Sequence, residues 1–438
     1  MKLRFSRFMG MSLAAFGLLV LAQERPVVLK GARVIPIEGP EIESGMVVLS
    51  QGRIVYVGPF SESQQPSNAD VRDLTGKVIM PGMVDTHSHI GGPSGADRSS
   101  AIQPETRVWD SINVRSAQIP KARAGGITTV NVMPGSGHLL SGQTLYLKLR
   151  KGTTIDDLMI KTKEGLPAGG VKMANGTNSR RAAPFPGTRA KSAAMVRETF
   201  IKAQAFAKKR DKAIADGEPV PRDLAMESLL DVLEGRKIVH HHTHRHDDIV
   251  TVLRLAKEFN FRVVLHHVSE GSFVAEEIAA AKAPVSMIVL DSPGGKLEAK
   301  NFSLETGRIL EEAGADVAFH TDDPITDSRL FLRSAALAVR YGMSRVKALE
   351  GLTLAGARML DMQDEVGSLK AGKSADLVIL SGDPLSVYTK VLETWIEGER
   401  VFDLEDPKDR LYAVGGFGAS HDQGEGHVHE IGEGEGHQ

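Results

Sequence analysis

Two histidines two positions apart, His87 and His89, close an apolar run that reads GMVDTHSHI. Side chains alternate along a β-strand, so both imidazoles lie on the same face of the strand. Two imidazoles on one face are well placed to bind a single metal ion. The pattern therefore indicates a metal site near the end of a strand.

The other histidines of the chain support this interpretation. Of the 15 histidines, four lie in a polar C-terminal segment: His421, His427, His429 and His437. The remaining eleven all fall at the C-terminal end of a predicted strand or in the loop just after it: His87, His89, His138, His240, His241, His242, His244, His246, His266, His267 and His320. In a βα barrel, these strand ends form one face, where active sites are built. Taken singly, His241, His246 and His266 are interpreted as core histidines.

Three further side chains can reach the space in front of the histidine pair. His242 ends the fifth predicted strand, His267 ends the sixth, and Asp322 follows the eighth in FHTDDP. Imidazole combined with carboxylate suits zinc and leaves positions open for water. The chain contains no cysteine, which excludes disulfides and thiolate metal sites.

Strands and helices alternate through the part of the chain that carries these residues. The predicted strands are KVIMPGMVDTH, GITTVNVM, TLYLKL, GGVKMA, KIVHHHTH, FRVVLHH, PVSMIVL and ADVAFHTD. Eight βα units predict an α/β fold with a closed, TIM-like (β/α)8 barrel over residues 81–364, in which the third unit has only the poor helix TTIDDLMI. The Val- and Ile-rich flanks, 23–80 and 365–410, predict a small composite β-sandwich domain built from both chain ends.

The two chain ends differ in composition from the centre. Residues 1–22 combine a basic start with a short apolar run and a small residue before Gln23. This predicts a signal peptide and a periplasmic or secreted protein, without a stable membrane span after processing. Residues 411–438 are predicted to be a disordered tail, because the segment GASHDQGEGHVHEIGEGEGHQ has almost no apolar content. The net charge of −2 gives no indication of a nucleic-acid partner, and a homo-oligomer is left open.

Several motifs resemble those of the amidohydrolase superfamily of metal-dependent hydrolases. PGMVDTHSH, preceded by LTGKVIM, is similar to the family's first-strand metal motif. ARAGGITTV is similar to the lead-in to the second strand, and GSLKAGKSADLVIL is similar to the C-terminal return to the β domain. The resemblance covers nearly the whole mature chain and favours the imidazolonepropionase-like and Xaa-Pro-dipeptidase-like branch.

The resemblance implies a set of metal ligands. The family ligands carry over to His87, His89, His242, His267 and Asp322. On the fifth strand, His240 and His244 share a face with His242. His242 best matches the family position, and His244 is a near second. On the sixth strand, the family spacing favours His267 over His266.

The family often uses a carboxylated lysine to bridge two metal ions, and the candidate here is Lys172 in GGVKMANG. Two divalent ions would strongly repel an ammonium group, whereas a carbamate is negative and supplies two oxygens. If Lys172 points elsewhere, the site holds one metal. The implied cofactor is therefore a divalent metal, zinc by its ligand types, as one or two ions.

The chemistry that the resemblance implies is hydrolysis of a non-ester C–N bond by metal-activated hydroxide. Metal binding lowers the pKa of water from roughly 15.7 to about 7. Asp322 then takes the proton from the water and passes it to the leaving nitrogen. Asp323 is expected to face away by alternation and to make a structural hydrogen bond.

The expected substrate is a small molecule with a linear or cyclic amide, for example a dipeptide or an N-acyl amino acid. Arg180, Arg181 and Arg189 follow the fourth strand and can clamp a carboxylate; a solvated basic loop is the alternative. His138 can orient a substrate carbonyl, and His244 is a further candidate for substrate binding. Two other functions stay open: a deaminase acting on a cyclic amidine or aminated ring, and a metal-storage or scavenging protein suggested by the histidine-rich tail.

Overall fold

A computed structural model describes residues 25–92, 97, 99–289 and 297–415 of the chain. The predicted signal peptide and the histidines of the C-terminal segment lie outside these residues. Within the described residues, no helix is both long and apolar enough to span a membrane.

The structure contains 17 strands and 11 α-helices in the described residues. The strands are β1 (Val27–Val34), β2 (Ile42–Ser50), β3 (Arg53–Pro59), β4 (Asp70–Asp73), β5 (Val78–Pro81), β6 (Met83–Ser88), β7 (Ile127–Val132), β8 (Leu140–Gln143), β9 (Leu145–Lys148), β10 (Val171–Ala174), β11 (Val239–Thr243), β12 (Val263–His267), β13 (Val285–Met287), β14 (Val317–Phe319), β15 (Leu377–Leu380), β16 (Val391–Ile396) and β17 (Glu399–Asp403). The helices are α1 (Gln118–Ala124), α2 (Ile155–Leu158), α3 (Arg189–Asp216), α4 (Leu224–Leu233), α5 (His246–Phe259), α6 (Ala275–Ala280), α7 (Thr306–Glu312), α8 (Phe331–Arg340), α9 (Arg345–Gly351), α10 (Leu354–Met359) and α11 (Pro407–Val414).

Strands from the two chain ends pair in one eight-stranded sheet. Its order is β17-β16-β15-β5-β1-β2-β3, and β4 lies beside β1. The two ends meet where β15 runs antiparallel to β5, with Leu377 opposite Pro81. Val, Ile and Leu residues of these strands pack into a buried apolar cluster, and each buried side chain of this kind contributes about 1.5–3 kcal/mol. The two-layer packing of a sandwich stays a prediction.

The central part of the chain alternates strands with helices, and most of its strands are parallel. β10 to β14 form one run of parallel pairs, and β6 is parallel to β7. Helices α3 to α7 connect the strands of the first run, as βα units require. Because parallel strands end at a common edge, residues that follow them are brought together there.

The third predicted unit is wrong in its strand direction. β9, which contains most of TLYLKL, runs antiparallel to β7, and β8 runs antiparallel to β10. The connection from β7 to β9 contains no helix, and a parallel return usually needs a helical crossover. β8 and β9 are separated only by Thr144, so this bent segment joins the sheet of β6 and β7 to the sheet of β10 to β14.

The predicted closed barrel is not seen as a continuous ring of paired strands among the described residues. No ladder joins β6 to β14. Instead, single backbone hydrogen bonds connect them: Asp322 N donates to His87 O at 2.9 Å, and His89 N donates to Asp323 O at 3.3 Å. These bonds hold the residues after β14 against the end of β6.

The boundary predicted for the disordered tail is wrong by a few residues. Residues 411–414 belong to α11, which begins at Pro407. The Asp406 carboxylate accepts a hydrogen bond from Lys408 N at 2.7 Å, and proline is favoured at the first helical position. Residues 416–438 lie outside the described part of the chain.

Candidate metal centre

The two histidines of the opening motif lie beside the aspartate that follows β14. Asp322 Oδ1 is 3.2 Å from His87 Nε2 and 3.0 Å from His89 Nε2, and all three side chains are buried. Two ligands about 2.0–2.1 Å from one tetrahedral zinc ion lie about 3.3–3.4 Å apart. Each of the two imidazole nitrogens is therefore already about as far from the Asp322 carboxylate as two ligands of one ion are from each other.

The backbone of Asp322 is in the left-handed region, with a φ of 51°. A residue other than glycine is held there only when its surroundings fix it, and such residues cluster at functional sites. Here the fixing contacts are the hydrogen bond from Asp322 N to His87 O and the bond from Ile325 N to Asp322 O at 2.8 Å. The conformation points the carboxylate at the histidine pair.

Asp85 joins β6 to the loop after β14 through hydrogen bonds, a role that was not predicted from the sequence. Its Oδ1 accepts hydrogen bonds from His87 N at 3.2 Å and Thr321 N at 3.1 Å, and its Oδ2 accepts one from Thr321 Oγ1 at 2.5 Å. Burial raises the pKa of Asp85 to about 7. Asp85 thus fixes the distance between the two segments that supply His87 and Asp322.

The ring orientation of His89 is set by a backbone carbonyl. His89 Nδ1 lies 2.8 Å from Met133 O, which can only accept, so Nδ1 carries the proton. A neutral ring then presents its lone pair on Nε2, the atom that faces Asp322. This is the usual arrangement behind a metal-binding histidine.

Lys172 on β10 lies in the same cluster and is fully buried. Its Nζ is 3.1 Å from His87 Nε2 and 2.8 Å from Met133 Sδ. Burial lowers the pKa of His87 well below its ordinary value, and the charge of Lys172 lowers it further. The imidazole is therefore neutral and can act as a ligand.

A second group of ligands comes from β11 and β12. The ligand atoms of His242, His244 and His267 lie within 4.8 Å of one another, and all three residues are buried. His244 Nδ1 is 2.8 Å from Ser269 Oγ. The structure thus brings His244 into the ligand cluster, where it is a candidate ligand as well as the candidate substrate contact that was predicted.

His267 reaches this group because its backbone departs from regular strand geometry. Its φ is 71°, and that of Val268 is 53°. In a regular strand only one of His266 and His267 would face the site, because neighbours alternate. Here both do: the ring centroid of His87 is 5.0 Å from that of His266 and 5.0 Å from that of His267.

Two of the three histidines interpreted as core residues differ from that interpretation. His266 belongs to the cluster, with its Nε2 3.0 Å from His240 Nδ1, and with His87 and His320 it forms another possible ligand group. In the register of β11 and β12, His266 lies directly opposite His242. His246 begins α5 and its side chain is 49% exposed, next to Glu270. His241 is buried, as interpreted, and donates through Nδ1 to His242 O at 3.0 Å.

The predicted substrate residues lie in two loops that fold against each other. Arg180 Nε donates to Gly176 O at 3.1 Å. Arg181 donates to Gly137 O and lies over the ring of Phe185. On another side, the ring centroid of Phe185 is 5.2 Å from that of His138. Substrate binding by Arg180, Arg181 and His138 stays a prediction.

The carboxylate clamp predicted for Arg189 is wrong. Arg189 begins α3, and its Nε donates to Asp248 at 2.7 Å, while its Nη2 is 3.5 Å from Glu298. Both carboxylates are buried and already occupy the guanidinium. Asp323 has the structural role that was expected, because its Oδ2 accepts hydrogen bonds from Ser328 N at 2.9 Å and Ser328 Oγ at 2.6 Å.

Comparison with known proteins identifies the family of this chain. Residues 78–401 match the amidohydrolase family. The amidohydrolase tasK of Hapsidospora irregularis is 27% identical over 82% of this chain, which spans only 40% of the length of tasK. The imidazolonepropionase of Sphingopyxis alaskensis is 25% identical over 80% of this chain and 90% of its own length.

A solved structure shows the same relationship. An amidohydrolase from Thermotoga maritima MSB8 is 32% identical, with a TM-score of 0.80 over 86% of this chain and all of its own. This likeness implies a TIM-barrel-like fold for the central strands. The chain is therefore a member of the amidohydrolase family, in its imidazolonepropionase-like branch, and a hydrolase of carbon–nitrogen bonds.

Proposed function

We propose that this protein is a metal-dependent amidohydrolase that cleaves a non-ester C–N bond, with a linear or cyclic amide as substrate. The observation that carries the proposal is the carboxylate of Asp322, which lies 3.2 Å from His87 Nε2 and 3.0 Å from His89 Nε2. Metal storage needs ligands but no group that moves protons. A carboxylate in this position can do both.

The residues present fit a divalent metal. His87, His89 and Asp322 would hold one ion, and His242 with His267 would contribute to a second. Neutral imidazole and carboxylate ligands, with no thiolate in the chain, favour zinc. A bound divalent ion supplies a Lewis acid that lowers the pKa of water from about 15.7 to about 7.

Lys172 is proposed to be carboxylated. The side chain is fully buried, and its Nζ lies 3.1 Å from a proposed metal ligand, His87 Nε2. An ammonium in this place would repel a bound cation, whereas a carbamate would attract it and supply two oxygens. Without the carbamate, the site would hold a single ion.

The protein's own residues handle the proton. Asp322 accepts it from the attacking water and delivers it to the leaving nitrogen, which makes the nitrogen a better leaving group. Asp85 keeps Asp322 in place by bonding both to His87 N and to Thr321. Met133 O keeps the proton of His89 on Nδ1, away from the site.

The experiment that tests this function is a substrate screen with purified, zinc-loaded protein and its Asp322→Asn variant. Dipeptides, N-acyl amino acids, cyclic imides and aminated heterocycles are the classes to compare. We expect turnover of an amide or imide class by the wild type and not by the variant. Ammonia release from aminated rings alone would favour a deaminase, and zinc binding without turnover of any class would favour a scavenging protein.

We also propose that the protein is exported to the periplasm or secreted, after removal of residues 1–22. The basic start and the short apolar run ending before Gln23 support this. Mass spectrometry of the native protein should find a mature terminus near Gln23. An intact Met1 on cytoplasmic protein would contradict it.

A further inference from the structure

A line of buried side chains runs from the first strand to the proposed ligand His267. Thr86 Oγ1 on β6 lies 2.5 Å from Ser286 Oγ on β13. Ser286 Oγ lies 2.7 Å from His320 Nδ1, and His320 Nε2 lies 3.3 Å from His267 Nδ1. All four residues are buried, with at most 4% of their surface exposed. The line therefore crosses the interior without contact with solvent.

The far end of the line fixes the direction in which protons are donated. Thr86 Oγ1 also lies 3.4 Å from Phe319 O, which can only accept. When Thr86 donates to this carbonyl, its oxygen accepts from the Ser286 hydroxyl. Ser286 in turn accepts from His320 Nδ1–H. His320 Nε2 then carries the lone pair and accepts from His267 Nδ1–H.

This direction determines which nitrogen of His267 can bind a metal. With the proton on Nδ1, the neutral ring has its lone pair on Nε2. Among the described residues, His267 Nε2 is buried and has no hydrogen-bond partner. The opposite direction would put the proton of His267 on Nε2, where it would block a metal, and would leave Phe319 O without the Thr86 bond.

We propose that His320 is a positioning residue that holds His267 with its Nε2 lone pair toward the metal. Ser286 and Thr86 are the remaining members of this line and hold His320 in turn. The inference rests on the metal site of the proposed function. Groups that hold the second nitrogen of a ligating histidine typically change metal affinity about 10–100-fold when they are removed.

A competing role for His320 is direct metal binding. Its ligand atom lies within 4.8 Å of those of His87 and His266. The two roles predict different results. Loss of a ligand lowers the number of ions bound at saturation, whereas loss of a positioning group weakens binding without changing that number.

The test measures zinc affinity by competition with a chromogenic chelator, and zinc content at saturation by elemental analysis. His320→Leu should raise the Kd for Zn²⁺ about 10–100-fold and keep the wild-type zinc content. In His320→Gln, the amide can accept from His267 and donate to Ser286, so most of the affinity should return. Ser286→Ala should weaken binding less. The control His246→Gln, outside the cluster, should match the wild type.

Several results would overturn the role of His320. The first is that His320→Leu protein binds one zinc ion fewer than the wild type at saturating zinc. The second is that its Kd for Zn²⁺ equals that of the wild type. If His320→Leu does not fold, the Ser286→Ala protein tests the proposal instead. An unchanged Kd for Zn²⁺ in a folded Ser286→Ala protein would contradict the role of this line of side chains. A wild-type protein that binds no zinc would contradict the proposed function itself, a result that is distinct from the others.

Discussion

Asp322 Oδ1 lies 3.0 Å from His89 Nε2, although the two residues are 233 positions apart in the chain. The contact exists because the loop after β14 is bonded to the end of β6 and because Asp322 adopts a positive φ of 51°. It places a proton acceptor among imidazoles that can bind a metal.

Asp322→Asn should retain substantial metal but lose most turnover. An amide keeps the size of the carboxylate but cannot accept the water proton at neutral pH. We expect kcat to fall about 10²–10⁴-fold, with a smaller change in KM. Steady-state kinetics and elemental analysis on the same samples measure this. Asp364→Asn, at an exposed aspartate, is the control, and wild-type turnover in Asp322→Asn would rule out the proposed acid–base role.

Lys172→Ala should lose one metal ion and most of its activity, because the proposed carbamate oxygens disappear. Added formate or acetate should partly restore both, since a free carboxylate can occupy the same place. Metal content and turnover are measured with and without the added acid, and Lys163→Ala, at an exposed lysine, is the control. Two ions and normal turnover in Lys172→Ala would show that Lys172 is not a bridge.

Much of the site could be predicted from the sequence, because the histidine pair and the strand ends follow from simple alternation. His87, His89 and Asp322 are brought together as the parallel arrangement implies. What failed depended on contacts that are distant in sequence. The segment TLYLKL has the apolar character of a strand, but this character does not distinguish a parallel strand from an antiparallel one.

The choice between His266 and His267 shows a second limit of the sequence. Alternation predicts that only one of them faces the site, and the positive φ of His267 lets both do so. Arg189 shows a third, because its partners Asp248 and Glu298 come from distant segments. No local sequence pattern predicts ion pairs between residues of such distant segments.

The connection between the two chain ends should weaken in acid. Glu38, after β1, accepts hydrogen bonds from Ser368 and, at 3.1 Å, from Lys373 Nζ. The Ser368 bond, followed by the Lys373 interactions, lowers the pKa of Glu38 from 4.5 to about 2, against the opposing effect of burial. A lowered folded-state pKa stabilises the protein above pH 4.5, and this contribution is lost as the pH falls toward 2.

The measurement is the free energy of unfolding of the wild type and Glu38→Gln from pH 6 down to about pH 2. The wild type should be more stable near pH 6, by under about 1 kcal/mol because Glu38 is partly exposed. The difference should shrink as the pH falls. Glu43→Gln, an exposed glutamate on β2, removes the same charge without these bonds and is the control. A difference that stays constant with pH would contradict the assignment.

Truncation after Gly415 should leave catalysis intact at saturating metal. Gly415 ends α11 with a φ of 81°, so the cut keeps the last described helix whole. The removed residues are polar and glycine-rich and are expected to add little to the core. Turnover and thermal unfolding of the truncated protein are compared with those of the full chain. A folded, metal-saturated, inactive protein would mean that the segment belongs to the site.

Anomalous X-ray diffraction at the zinc edge tests most directly whether the buried histidines and Asp322 hold a catalytic metal. Crystals of zinc-loaded protein should show an anomalous peak between His87 Nε2, His89 Nε2 and Asp322 Oδ1. Crystals of the Asp322→Asn protein should keep the wild-type fold around this site. Zinc bound only elsewhere, or no peak among these three atoms in fully loaded protein, would contradict the account.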